Sequence, residues 1–415
     1  MARSAPREEG GRQDVRAEES RDRDQVALFR LMIYFDNNAT TQVDSEVLQQ
    51  MLPFLQDQYG NPSSAYSFGK RAAKAVNTAR EQVADLLRCE PAEIVFTSCG
   101  TESDNSAIQS ALLADPDRRH LVTSKVEHSA VVKHAEALAR RGYEVTWLDV
   151  DSEGLIDLRE LDRAVREDTA IVSLMWANNE TGVLFPIEEA AEICRSKGTV
   201  FHTDAVQAVG KIDINLRDVP INFLSLSGHK LHAPKGVAAL YINRKTRFNP
   251  YLIGGGQENK KRGGTENTAS IVALGKAAEL ASSGLRDENT RIKALRDRFE
   301  LGLLDTISAI RVNGHRVRRL PNTSNLAIDG IDSEGMLMLL DQKGICCSAG
   351  SACTAGSLEP SHVLRAMGYS TERARGSLRF SFSRFNSDSE IDQALQIIPH
   401  AVEKLRGMNR GFLAA

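Results

Sequence analysis

From Ile33 onward, short apolar runs rich in β-branched residues alternate with longer segments whose apolar positions recur at helical spacing. The runs at 93–98 (EIVFTS), 120–124 (HLVTS), 169–177 (TAIVSLMWA) and 199–205 (TVFHTDA) have the length and composition of buried strands. Each is followed by a helix-like stretch, and that alternation predicts a mostly parallel sheet covered by helices. A helical pattern over 289–309 leads into a second set of strands, at 322–330 (NTSNLAIDG) and 376–383 (GSLRFSFS), and then into helices through 406. The expected class is α/β. A large domain is expected over 32–285 and a smaller C-terminal α+β domain over 286–415, with residues 32–40 placed to pack against the second.

Residues 1–31 break the pattern. They carry seven Arg and seven Asp or Glu among few apolar side chains, too little to bury a core, and are expected to form a disordered charged tail. Glu8, Glu9, Glu18 and Glu19 argue against a transit peptide, which is poor in acids. Over all 415 residues the formal net charge is −3 and the signs are mixed along the length, so no basic stripe of the kind a nucleic acid requires is present. No apolar run approaches the roughly 20 residues of a membrane span, and a cytoplasmic protein is expected. Six cysteines in a chain this long are too sparse for a disulfide framework. Free thiols are the expectation, with one of them a candidate reactive group.

Ligands of open parallel sheets lie beyond the carboxyl ends of the strands, so the polar residues after each run are the candidates for chemistry. Cys99, Gly100, Thr101, Glu102 and Ser103 open a helix and offer backbone N–H groups and a hydroxyl to an anion; alone, they read as an ordinary N-cap. His128 opens the next helix and alone reads as structural. Asn178, Asn179, Glu180, Thr181 and Gly182 form a polar turn that serves equally as a loop cap. Asp204 ends a run, with Gln207 three residues on; an acid there either holds a pyridinium nitrogen protonated or caps a helix.

Ser227, Gly228, His229 and Lys230 bridge two apolar strands. A lysine sheltered there beside other cations loses basicity and becomes an amine able to form a Schiff base. Gly254, Gly255 and Gly256, then Arg262, Gly263, Gly264, Thr265, Glu266 and Asn267, make a glycine-dense stretch suited to backbone approach to a phosphate, although not a dinucleotide fingerprint. Cys346 and Cys347 follow what reads as a short strand. Cys353 stands among Gly350, Ser351, Ala352, Thr354, Ala355 and Gly356, small residues that let a thiol move. No C-x-x-C pair or nearby His completes a tetrahedral metal set around these cysteines.

The residues taken in order, Asp36-Asn37-Asn38-Ala39-Thr40-Thr41, Gly60-Asn61-Pro62-Ser63-Ser64, Gly100-Thr101-Glu102-Ser103, Glu127-His128, Asn178 to Gly182, Ser227 to Lys230, Arg262 to Asn267 and Gly350-Ser351-Ala352-Cys353, resemble the cysteine desulfurases of the NifS and IscS type. These are class-V members of the aspartate-aminotransferase-like fold of pyridoxal-phosphate enzymes, and the likeness runs from about Ile33 to residue 406. The resemblance implies pyridoxal 5'-phosphate joined to Lys230, with Asp204 at its pyridine nitrogen, Gln207 at its ring hydroxyl and His128, also counted as catalytic, stacked on the ring. It implies a phosphate held by Gly100, Thr101, Ser227 and His229, with Thr265 contributed by the other subunit of a homodimer. Asn179 and Arg379 match the contacts to the substrate, Arg379 clamping its carboxylate.

The implied reaction takes L-cysteine to alanine. Cys353 attacks the substrate sulfur and keeps it as a persulfide for an iron-sulfur scaffold protein or another acceptor, and is also the candidate ligand of a transient iron-sulfur cluster. Residues 37–41 look more NifS-like than IscS-like, which points toward nitrogenase maturation, and the segment through Leu358 to His362 resembles the long-loop branch. A selenocysteine lyase or a small-molecule aminotransferase on the same fold is the nearest alternative. A non-enzymatic iron or zinc carrier is the rival from another class, and it leaves Lys230 and Asp204 without a purpose.

Overall fold

The computed structural model describes residues 32–349 and 359–413; the charged tail and the segment that carries Cys353 lie outside them. β1, Ile33–Tyr34, precedes a seven-stranded sheet of β2 (Ile94–Thr97), β3 (His120–Ser124), β4 (Glu144–Leu148), β5 (Thr169–Met175), β6 (Val200–Asp204), β7 (Phe223–Ser227) and β8 (Ala238–Ile242). Its order is β2-β8-β7-β6-β5-β3-β4, with β8 antiparallel to both neighbours and the remaining pairs parallel. The four predicted runs are β2, β3, β5 and β6. Every residue of β5, β7 and β8 is buried, as continuous apolar strands covered on both faces require. β4 is one of the two edge strands and has only Leu148 buried, so its hydrophobic signal in the sequence is weak.

Helices α1 (Ser45–Gln56), α2 (Ser67–Leu87), α3 (Gly100–Ala114), α4 (Ser129–Arg140), α5 (Leu158–Ala164), α6 (Ile187–Ser196) and α7 (Thr268–Asp287) cover this sheet. One core cluster joins α2, α6 and α7 to the sheet through Val76, Val83, Ala190, Phe201, Leu224 and Leu274. A second, under α3 and α4, holds Ile108, Leu121, Val131, Ile171, Phe223 and Leu240.

A third core is separate. There β9 (Ile310–Val312), β10 (Thr323–Ile328), β12 (Ser348–Ala349) and β13 (Ser377–Ser381) form an antiparallel sheet in the order β12-β13-β10-β9, while β11 (Ile345–Cys346) pairs in parallel with β1. α8 (Lys293–Thr306), α9 (Ser333–Asp341) and α12 (Asp388–Leu413) pack with it; the short α10 (His362–Ala366) and α11 (Thr371–Arg375) lie between α9 and β13 in the chain. Phe35 joins the Phe299, Phe380 and Phe382 cluster, with its ring 4.8 Å from Phe382, so the chain's described start belongs to this C-terminal core. The helical pattern expected over 289–309 is the second half of a longer run: α7 continues through a π turn at Glu288–Ile292 into α8.

Candidate active site

The carboxyl ends of β2, β5, β6 and β7 face one cleft of about 290 Å³. Gly100, Thr101, His128, Asn179, Asp204, Gln207, Ser227, His229, Lys230 and Arg379 all line it. Residues spread over 280 positions of the chain thus meet because each follows or ends a strand of a parallel sheet, apart from Arg379, which reaches in from β13.

Lys230 closes a short 3-10 turn, Gly228–Lys230, directly after β7. Its Nζ donates to the Ala39 carbonyl at 2.6 Å and also to the Asn38 carbonyl. Gln207 Nε2 donates to the same Asn38 carbonyl at 2.9 Å, and Lys211 Nζ donates to Gln207 Oε1 at 3.2 Å. Burial, with Lys230 and Lys235 as the next influences, lowers His229 to about 4. It is therefore a neutral ring in electropositive surroundings.

Asp204, the last residue of β6, is 6% exposed and accepts from the Val206 amide at 2.9 Å. Burial first, and then the neighbouring Asp104, raise its carboxyl to about 6, so it is ionised at neutral pH. His128 is the N-cap of α4 and accepts from the Ala130 amide through Nδ1 at 3.2 Å. Glu127 behind it is fully buried. Its Oε1 accepts from Ser124 Oγ at 2.6 Å and the Met175 amide at 3.0 Å, while burial pushes the carboxyl up to about 8.

Asn178 Oδ1 accepts from the amides of Glu180 and Thr181, which folds the turn that sets Asn179 at the cleft. Arg379 is 2% exposed; Nη2 donates to Asp36 Oδ1 at 2.7 Å and Nη1 to the Asn179 carbonyl at 2.9 Å, while Nε has no partner among the described residues.

Two predicted elements stand elsewhere. Thr265 is exposed and lines a different cavity with Glu258, Arg262 and Glu266, and the glycine-dense stretch lies with it. A Cβ on Gly263 would fall 2.6 Å from the Gly254 backbone, so these glycines serve the approach of two backbone segments to each other within this chain. Arg80 of α2 pairs with both oxygens of buried Glu258 at 2.7 and 2.8 Å, and the Phe96 amide of β2 donates to Glu258 Oε2, so the loop is anchored to α2 and β2. Cys353 falls outside the described residues. Asn38, Ala39, Cys99, Asp104, Met175, Ala177 and Val206 also line the cleft without having been singled out as site residues. Strand-end position was the signal available for Met175, Ala177 and Val206.

The residues present fit pyridoxal phosphate. α3 begins with Cys99 as an N-cap that makes no side-chain capping bond, so its first-turn N–H groups face the cleft without a side-chain acceptor. A Cβ on Gly100 would stand 3.0 Å from Val206 Cγ2, so a side chain there would crowd the wall of the cleft. An anion seat, an ionised acid and a primary amine thus share one cleft.

Residues 33–394 match the family model described as aminotransferase class-V. The chain is similar to cysteine desulfurase 2 of Trichormus variabilis, 56% identical over 378 residues that cover 91% of this chain and 95% of that protein. It is 52% identical to the cysteine desulfurase NifS of Azotobacter vinelandii, over 91% of this chain and 94% of the relative. A solved structure described as a NifS-like protein superposes with a TM-score of 0.85 at 36% identity, covering 90% of this chain and all (100%) of that one. A NifS-like protein from Rickettsia africae gives 0.81 at 32% identity, covering 90% and 99%.

Proposed function

The chain belongs to the class-V aminotransferase family, and we propose that it is a cysteine desulfurase that takes sulfur from L-cysteine, releases alanine and carries the sulfur on Cys353. The observation that carries this reading is the single cleft in which the Lys230 amine, the Asp204 carboxylate and the uncapped start of α3 converge.

In this reading Gly100, Thr101, Ser227 and His229 hold the phosphate of the cofactor, and Asp204, Gln207 and His128 hold its ring. Pyridoxal phosphate, when bound, supplies an electrophilic carbon for the substrate amine and a cationic ring that takes up electron density as the α-proton leaves. Lys230 Nζ takes and returns that proton, within reach because its turn points the amine into the cleft. Arg379 receives the substrate carboxylate through the donor that Asp36 and the Asn179 carbonyl leave over, and Asn179 flanks it. The Cys353 thiolate attacks the substrate Sγ; the new S–S bond replaces the C–S bond, whose electron pair and a proton leave with alanine.

The sulfur goes to an iron-sulfur scaffold protein or another acceptor, with nitrogenase maturation the pathway that residues 37–41 favour, and Cys353 is the residue on which a transient cluster would sit. A homodimer is part of the reading. Thr265 lies away from its own cleft, and Leu48, Leu52, Leu55, Tyr59, Tyr66 and Ile253 leave large apolar side chains exposed, Ile253 at 90%. Among the described residues no helix is long and apolar enough to cross a membrane.

An ultraviolet-visible spectrum of the purified protein tests the cofactor, and Lys230→Ala tests the chemistry. The parent is expected to be yellow and to release alanine from L-cysteine, and the folded variant to release none. Alanine production by Lys230→Ala at the parent rate would overturn the assignment.

A further inference from the structure

Asp104, in the second turn of α3, lines the cleft with only 1% of its surface exposed. Its Oδ1 has no hydrogen-bond partner among the described residues, and His202 Nε2 stands 3.5 Å away. That imidazole is engaged elsewhere: Nδ1 meets Ser173 Oγ at 2.8 Å and Nε2 meets Ser225 Oγ at 3.0 Å. Burial lowers His202 to about 4, so at neutral pH the ring is uncharged and brings Asp104 no counter-charge.

A buried carboxylate with an unsatisfied oxygen costs stability, and an amide of the same shape would cost less. The charges that bear on Asp104 and Asp204 are few. Asp104 is the largest influence on Asp204 after burial; on Asp104 itself burial acts first and a hydrogen bond from Ser225 opposes it, and His128 draws both carboxyls down. Glu127, the third acid nearby, is raised to about 8 and so is neutral at pH 7, whereas Asp104 and Asp204, each raised to about 6, keep their charges there. Two carboxylates whose charge is only partly offset therefore border one cleft.

On the reading that Asp204 meets the ring nitrogen of pyridoxal phosphate, we propose that Asp104 is a positioning residue for the reaction: its buried carboxylate, with Oδ1 left without a partner among the described residues, adds a second negative charge beside Asp204 and strengthens the cleft's hold on a protonated ring. A cation in the cleft interacts with both charges in a medium that screens them poorly, so each adds to its affinity and to the nitrogen's affinity for a proton. The cost to the empty fold and the gain to the loaded one have the same origin.

Asp104→Asn keeps the shape and removes the charge. The full chain is compared with the parent for melting temperature without cofactor, for the pyridoxal-phosphate dissociation constant, and for the pH midpoint of the bound cofactor's absorbance. The variant is expected to melt no lower than the parent at pH 7.5 without cofactor. Its dissociation constant is expected to rise about tenfold, the factor equivalent to one pKa unit of differential interaction, and its absorbance midpoint to move to lower pH. A parental dissociation constant and midpoint, with a lower melting temperature, would make Asp104 a packing residue and overturn the inference. Asp204→Asn runs in parallel. If that variant is also parental in both cofactor readouts, the reading of the cleft floor fails and the inference with it; if it is impaired while Asp104→Asn is parental, the inference about Asp104 alone falls.

Discussion

Arg379 donates from Nη2 to Asp36 Oδ1 over 2.7 Å, joining residues 343 positions apart at the border of the cleft. With Nη1 on the Asn179 carbonyl, the guanidinium is fixed on two edges, and only its Nε lacks a partner among the described residues. An orientation set this way suits a carboxylate approaching from the cleft.

Arg379→Lys keeps the charge and loses the fork. It is expected to raise KM for L-cysteine by roughly ten- to a hundredfold, the worth of a charge-assisted hydrogen bond, with a smaller effect on kcat. Asp36→Asn retains an acceptor for Nη2, so its KM is expected to rise less. Steady-state kinetics of the two variants check this, and an unchanged KM in Arg379→Lys would remove Arg379 from the substrate site.

The Arg80–Glu258 pair predicts a stability effect. Both side chains are at least nine-tenths buried, and Glu258 Oε2 also accepts from the Phe96 amide at 2.9 Å. Glu258→Ala strands a buried guanidinium and is expected to cost about 3–5 kcal/mol, whereas Arg80→Met with Glu258→Leu should cost much less because no charge is left unpaired. Denaturant unfolding of the two variants makes the comparison; equal losses would show that the charge pairing is not what anchors the loop.

Strand-end residues were legible because periodicity reveals strands and a parallel sheet gathers their carboxyl ends, which is how Asp204, Ser227 and Lys230 could be placed before any coordinates. Partners across the chain were not legible. Asp36 opens the motif that runs to Thr41, yet nothing local announces that it holds Arg379. Asp104 reads as one more polar residue of a helix, and its burial depends on β6 and β7 lying beside α3. The glycines at 254 and 263 bring two backbone segments together, a contact that has the same sequence signature as backbone approach to a phosphate and so could not be read from the sequence. β4 escaped notice because an edge strand with one buried residue carries little apolar pattern.

Glu127 sets a pH dependence. Its folded carboxyl is raised from 4.5 to about 8 by burial, so the folded state holds a proton that the unfolded state has released. Its contribution to stability is therefore full below pH 4.5 and is lost as pH rises toward 8. Glu127→Gln stays neutral throughout and keeps an oxygen for Ser124 Oγ and the Met175 amide. The variant is expected to show a flatter decline in melting temperature between about pH 7 and 8, above the midpoints near 6 of Asp104 and Asp204. A parental slope in that window would mean that Glu127 is ionised in the folded protein.

A thiolate is the nucleophile, so the working cysteine must ionise, reach the substrate and hand sulfur on. Burial raises Cys89 and Cys194 to about 12, and it also raises the Cys347 thiol, which packs against the C-terminal core, and that of Cys346 in β11. These four are poor nucleophiles. Cys99 is different, since it is exposed and lines the cleft. The comparison is therefore among Cys353→Ser, Cys99→Ser and the Cys346→Ser/Cys347→Ser double variant. Each is given L-cysteine, with alanine release and protein-bound persulfide mass as the readouts. Cys353→Ser is expected to stay yellow, because the cofactor does not need the thiol, and to yield almost no alanine and no persulfide. Cys99→Ser is expected to keep alanine release within a few-fold of the parent, since a phosphate is a stronger acceptor for the N–H groups at the start of α3 than the neutral hydroxyl the substitution introduces. Loss of persulfide in Cys99→Ser with normal turnover in Cys353→Ser would transfer the role to the cleft's own cysteine.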